Sequence, residues 1–159
     1  MSIFLQHPNI KGETSDKNHK GCIDILDVQF GINRHITSAS STRGDRESSN
    51  AVISDLTFKK LMDKSTPYLF IETCCGTGKT LKFLMTKTGA GDGADVFMEY
   101  TLENALFSHM KTDHNGLRAI EKINISFTKM SMKYVSYDEN GHLETPQVVG
   151  FDTATNTKS

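Results

Sequence analysis

The sequence predicts a mostly-β fold with one short α-helix. Three observations predict it. Six separate stretches carry apolar residues at every second position, the period of a strand with one buried face. β-branched and aromatic residues are frequent inside those stretches. A single segment, residues 66–75, combines helix-starting and helix-stopping chemistry. The chain has 159 residues, which is one domain's worth, and residues 1–159 are expected to form one unit. A domain of that size buries roughly two-thirds of its unfolded surface. It needs no metal or disulfide to hold it.

Cys22 to Ile32 is the first stretch, with Ile23, Ile25, Val28, Phe30 and Ile32 as its apolar positions. The phase changes between Ile25 and Val28, which predicts a bulge. Ala51 to Leu61 carries Val52, Leu56, Phe58 and Leu61 with a similar slip. Thr66-Pro67 predicts an N-cap followed by proline at the first helical position. Pro67 to Cys75 runs without glycine, Phe70 and Cys74 share a face, and Gly76 stops the helix. Alternation then resumes at Leu81–Met85, Val96–Leu102, Ile123–Phe127 and Met130–Tyr134. Gly89 to Gly93 and Asp138 to Gly141 are hairpin turns by composition. Thr37 to Asn50 has no large apolar residue. It is an extended loop that cannot enter a core, longer than a usual hairpin connection. The tail from Thr153 to Ser159 is polar and expected to be loose.

Composition narrows the function. Eighteen basic residues against nineteen acidic ones give a net charge of −1, so no basic excess is available for nucleic acid. No run approaches the roughly 18 apolar residues of a membrane span. The start of the chain lacks a basic segment and a long apolar run, so synthesis in the cytoplasm without a cleavable leader is expected. Cys22, Cys74 and Cys75 form no disulfide framework, and buried thiols are expected. The six histidines show no metal-ligand spacing. No metal or cofactor is expected.

One motif invites an enzymatic reading. Thr73 to Thr80 ends in Gly78-Lys79-Thr80, like a phosphate-binding loop. The loop-opening glycine is replaced by Thr73, and no helix pattern follows Lys79. We favour a glycine turn into a strand. A small phosphohydrolase stays as the alternative, and a ligand-holding barrel as a third reading. No catalytic set is found: no G-x-S-x-G elbow is present. Asp24 and Asp27 fall on opposite faces of a strand as solvated charges.

Several segments taken together resemble one family. Lys11-Gly12-Glu13-Thr14-Ser15-Asp16 followed by His19-Lys20-Gly21 resembles the opening of the haemolysin-coregulated protein (Hcp) family. Ser54-Asp55, Lys60, Asp63-Lys64, Thr66-Pro67 and Leu69-Phe70 resemble its central motif, with threonine at 66 where serine is usual. Thr77-Gly78-Lys79 resembles its glycine–lysine turn. Met98 to Leu102 resembles its tyrosine–threonine–leucine strand. Gly150-Phe151-Asp152 and Asn156 resemble its closing motif, with phenylalanine for tryptophan.

The resemblance implies a compact β-barrel with one short flanking helix. It implies a structural, non-enzymatic subunit of the type VI secretion tube, closing into six-membered rings that stack into a hollow, secreted, effector-carrying tube. The implied partners are further copies of the chain and the sheath, spike and effector proteins of that system. The loop at Ser40, Ser41, Thr42, Arg43, Gly44, Asp45, Arg46 and Glu47 corresponds to the family's ring-contact loop. Its mixed charges suit register between rings. Asp55, Asp63, Thr66, Pro67 and Gly76 stand at the helix cap and fold motif.

Overall fold

The structure is a computed structural model describing residues 1–36, 49–88 and 94–159. Among these residues it contains twelve strands and one helix. The N-terminal half holds β1 (Ser2–Gln6), β2 (Ile23–Ile25), β3 (Asp27–Gln29), β4 (Ile32–Asn33), β5 (Val52–Ile53), β6 (Leu56–Leu61) and helix α1 (Thr66–Cys75). After it come β7 (Lys79–Thr88), β8 (Ala94–Asp113), β9 (Ile120–Ser126), β10 (Lys129–Tyr134), β11 (Gln147–Asp152) and β12 (Thr157–Lys158). The expected turn at 89–93 lies outside the described residues. The strands on either side of it pair antiparallel, Thr88 opposite Ala94.

β8 organises the sheet. It is 20 residues long and belongs to two ladders. Met98 to Glu103 pair with β10, while Leu106 to Asp113 pair with β9. The change of partner falls at Asn104, whose φ of 52° is left-handed, a conformation that asparagine adopts more readily than most residues. Gly78 makes the bend possible. A Cβ there would stand 2.0 Å from the Asn104 side-chain oxygen, so glycine leaves that side chain its place.

The ladder runs from β12 through β11, β10, β8, β7 and β1 to β2, with β3, β6 and β9 branching from it. The compact barrel implied by the resemblance is not closed by continuous pairing. The predicted bulge is the reason: the chain breaks at Leu26, so β2 pairs with β1 while β3 turns to β6. Leu26 N–H reaches the Lys59 carbonyl at 2.7 Å, just outside both ladders.

Alternation puts one face of each strand inside. Leu5, Ile23, Leu56, Phe58, Phe83 and Ile125 are fully buried in one cluster. Phe58 meets Phe83 and Phe107 edge to face, with centroids 5.5 and 6.4 Å apart, a favoured aromatic geometry. These side chains occupy the interior where the ligand-barrel reading needs a cavity.

Two elements differ from expectation. The tail folds back: Phe151 pairs with Lys158, and the Thr153 N–H and hydroxyl both reach the Thr128 carbonyl at 2.7 Å. Asn156 takes the left-handed turn position, φ 57°. Polarity made this segment look loose, but its bonds to β11 and to the Thr128 carbonyl satisfy backbone groups, which composition does not reveal. The thiols also divide: Cys22 is buried, whereas Cys74 and Cys75 are exposed at the end of α1. The expected turn at Asp138 to Gly141 forms, with the Asp138 carboxylate accepting from Asn140 N–H and His142 N–H.

Candidate functional site

Of the residues singled out around the helix, Asp63 and Thr66 meet at one buried ammonium. Lys60 lies on the inward face of β6 and is fully buried. Its Nζ donates to the Leu61 carbonyl at 2.8 Å, to Asp63 Oδ1 at 2.9 Å and to Glu121 Oε2 on β9 at 2.9 Å. An ammonium has three donors, and all three are used. Asp63 in turn accepts from the Ser65 N–H at 2.9 Å and from the Ser65 hydroxyl. Burial alone would raise the Asp63 carboxyl. The hydrogen bonds from Ser65 and Lys60 outweigh it and hold the group below the usual carboxylate range.

This node sets where α1 starts. Ser65 occupies the N-cap position and makes no side-chain cap bond. Thr66, expected as the cap, is the first helical residue. Its hydroxyl oxygen faces backward, accepting from the Asp63 N–H at 3.1 Å. The cap moves because Asp63 already engages Ser65, leaving Thr66 to close the preceding turn. Pro67 follows inside the first turn, where its missing N–H costs nothing. At the other end the Gly76 N–H donates to the Glu72 carbonyl at 2.9 Å. Its backbone is extended (φ −71°, ψ 164°). Glycine is required there by approach, since a Cβ would stand 2.5 Å from the Glu72 carbonyl oxygen. Asp55 lies apart from this group, just before β6, accepting from the Ser108 hydroxyl at 2.9 Å. The residues 40–47 lie outside the described residues. The ribbon leading to them is β4 paired with β5, Ile32 opposite Ile53, closed at its far end by Ser49 N–H to the His35 carbonyl at 2.8 Å.

The phosphate-loop motif is dismantled by the same geometry. Such a loop runs from a strand into a helix, whereas here the motif opens in the last turn of α1 and ends in β7. Lys79 Nζ is held at 2.7 and 2.8 Å by the two Glu72 carboxylate oxygens. Its charge is matched within the fold, which overturns the phosphohydrolase alternative. Among the described residues no cluster of three or more His, Cys, Asp or Glu could hold a metal. No helix among them is long and apolar enough to cross a membrane.

The sequence reading did not find the surface of α1. Leu69 is its one buried residue, while Tyr68, Phe70 and Ile71 are more than half exposed. The available clue was composition: Glu72 is the only charged residue in T-P-Y-L-F-I-E-T-C-C. A second apolar surface is a groove between the β4–β5 ribbon and β10–β11, lined by Ile32, Ile53, Met130, Met132, Val149 and Phe151.

The described residues form a β-rich fold with a filled interior and apolar surface left in water, surface of the kind that assembly covers. The comparisons define which assembly. The family model described as type VI secretion system effector, Hcp, matches residues 4–134, and the chain belongs to the Hcp family. It is 29% identical over 146 residues to protein hcp1 of Pseudomonas aeruginosa, covering 89% of this chain and 87% of that protein. The fold matches a solved type six secretion system protein with a TM-score of 0.88 at 23% identity, covering 99% of both chains. It matches Hcp1 from Salmonella typhimurium with a TM-score of 0.75 at 22% identity, covering 99% and 98% of the two chains. The protein is thus a structural tube protein of type VI secretion rather than an enzyme.

Proposed function

We propose that six copies close into a ring and that rings stack into a hollow tube. The tube is assembled in the cytoplasm, pushed out by the sheath behind a spike, and carries effectors in its bore. The chain itself leaves the cell by this route. The observation that carries the reading is family membership over most of the chain. Two separate apolar surfaces, on α1 and beside β11, support it. Rings are built by one face meeting a different face around an axis, and two unlike apolar surfaces supply such a pair.

The loop bearing Ser40, Ser41, Thr42, Arg43, Gly44, Asp45, Arg46 and Glu47 is assigned to contact between rings. Its charges alternate in sign along the chain, which favours one register over another without strong net attraction. Size-exclusion chromatography with light scattering, followed by electron microscopy of the peak, tests the whole reading. The expected result is a six-fold ring with an open bore. A strictly monomeric protein at high concentration overturns it. Reversing Arg43 and Arg46 to glutamate is expected to weaken stacking and spare ring closure. Loss of the ring itself would remove the loop assignment.

A further inference from the structure

We propose that the exposed face of α1 in one subunit docks into the groove between the β4–β5 ribbon and β10–β11 of the next subunit in the ring. This inference rests on the ring reading above and names the two faces that meet. Its starting observation is that α1 is apolar on more sides than the subunit covers. A helix apolar all round belongs in an interior, yet only Leu69 is buried. Tyr68, Phe70 and Ile71 are 63%, 57% and 55% exposed.

Area decides what kind of contact this is. Two aromatic rings and an isoleucine exposed to that degree leave on the order of 350 Å² of apolar surface in water. Interfaces are about 57% apolar, so such a patch is the centre of a side of roughly 600 Å². That is close to the ~800 Å² each partner contributes to a standard interface and at the low end of stable ones. A contact of this size is weak alone and gains from closure of a ring, where each subunit is held on two sides.

The groove is the matching feature. Its walls are aliphatic, thioether and aromatic: Ile32, Ile53, Met130, Met132, Val149 and Phe151. Methionine pairs favourably with aromatic rings and adapts its shape to them. Its rim is open, with Ile32 and Val149 both 55% exposed. Convex aromatic rings and a concave, methionine-bearing groove are unlike surfaces of one chain. Their pairing is heterologous and generates a ring when the rotation closes. A self-complementary helix–helix contact would stop at a dimer.

Mixing of two full-length variants tests the assignment. Phe70→Asp spoils the helix face and keeps the groove. Val149→Asp spoils the groove and keeps the helix face. Both positions are exposed, and unchanged circular dichroism and melting temperature will establish that the variants are folded. Light scattering is expected to give rings for the unaltered chain and at least a tenfold higher concentration for assembly of either variant alone. An equimolar mixture is expected to give a dimer, because only one productive interface remains and it cannot propagate. If the unaltered chain forms no ring, the ring reading fails and the inference with it. If the unaltered chain forms rings and Phe70→Asp assembles equally well, the ring reading stands and α1 is not the docking face. If both variants are monomers and their mixture stays monomeric even far above the concentration at which the unaltered chain forms rings, the pairing of helix with groove is wrong.

Discussion

Lys60 and Glu121 meet at 2.9 Å with neither side chain accessible to solvent. The pair ties β6 to β9 and, through Asp63, ties both to the entry of α1. Glu121 Oε1 has no partner, so the lysine carries most of the compensation for that buried carboxylate.

Removing one partner is therefore worse than removing both. Lys60→Met is expected to cost about 3–5 kcal/mol, since it leaves Glu121 and Asp63 buried without their cation. Lys60→Met combined with Glu121→Leu restores an apolar pairing and is expected to recover much of the loss. Urea denaturation of the two variants checks it, and equal stability would contradict the account.

Gly78 and Asn104 give a second prediction. Gly78→Ala places a methyl group against the Asn104 side chain and is expected to destabilise by about 1–3 kcal/mol. Adding Asn104→Gly removes the obstructing side chain and keeps the left-handed backbone accessible. The double variant is expected to be more stable than Gly78→Ala alone in thermal melts.

Leu69 anchors the helix. Leu69→Ala is expected to cost about 2–5 kcal/mol as a core truncation. Because it is the sole buried residue of α1, the loss falls on the helix first. Amide hydrogen exchange should accelerate in residues 66–75 more than in β7 or β8.

His7 makes stability depend on pH. Its Nδ1 accepts from the Asn9 and Ile10 N–H groups, both at 3.1 Å. The ring thus stays neutral, with its proton on Nε2. Burial pushes the imidazole from 6.5 down to about 4, the Glu72 carboxylate opposing and Lys79 reinforcing the change. The unfolded chain therefore takes up a proton at higher pH than the folded one. Stability from this group is full above about pH 6.5 and declines as pH falls toward 4, by about 3 kcal/mol at the limit. His7→Gln should flatten the profile between pH 6.5 and 4, leaving the fall that Asp63 causes at still lower pH.

How much of this was legible depended on how local the cause was. Alternation located the strands because a buried face repeats every two residues. The slip between Ile25 and Val28 announced the break at Leu26. Pro67 and Gly76 bracketed the helix. The node around Lys60 was not legible, because Glu121 is 61 residues away and nothing local marks either residue as buried. Thr66 misled for a related reason: whether it or Ser65 caps the helix depends on where Asp63 points. The exposure of Tyr68, Phe70 and Ile71 was hidden too. An apolar helix looks the same in sequence whether its own chain or another covers it.

β8 has one more consequence. Its first half is bonded to β7 and β10 and its second half to β9. Two sheets joined by a loop could open one at a time. Two ladders threaded on one continuous strand share their fate, because unzipping either one strips hydrogen bonds from the backbone of the other. Slow-exchanging amides should therefore span Tyr100 to Met110 as one cooperative block. A subunit pulled along that strand would then yield as a whole or not at all.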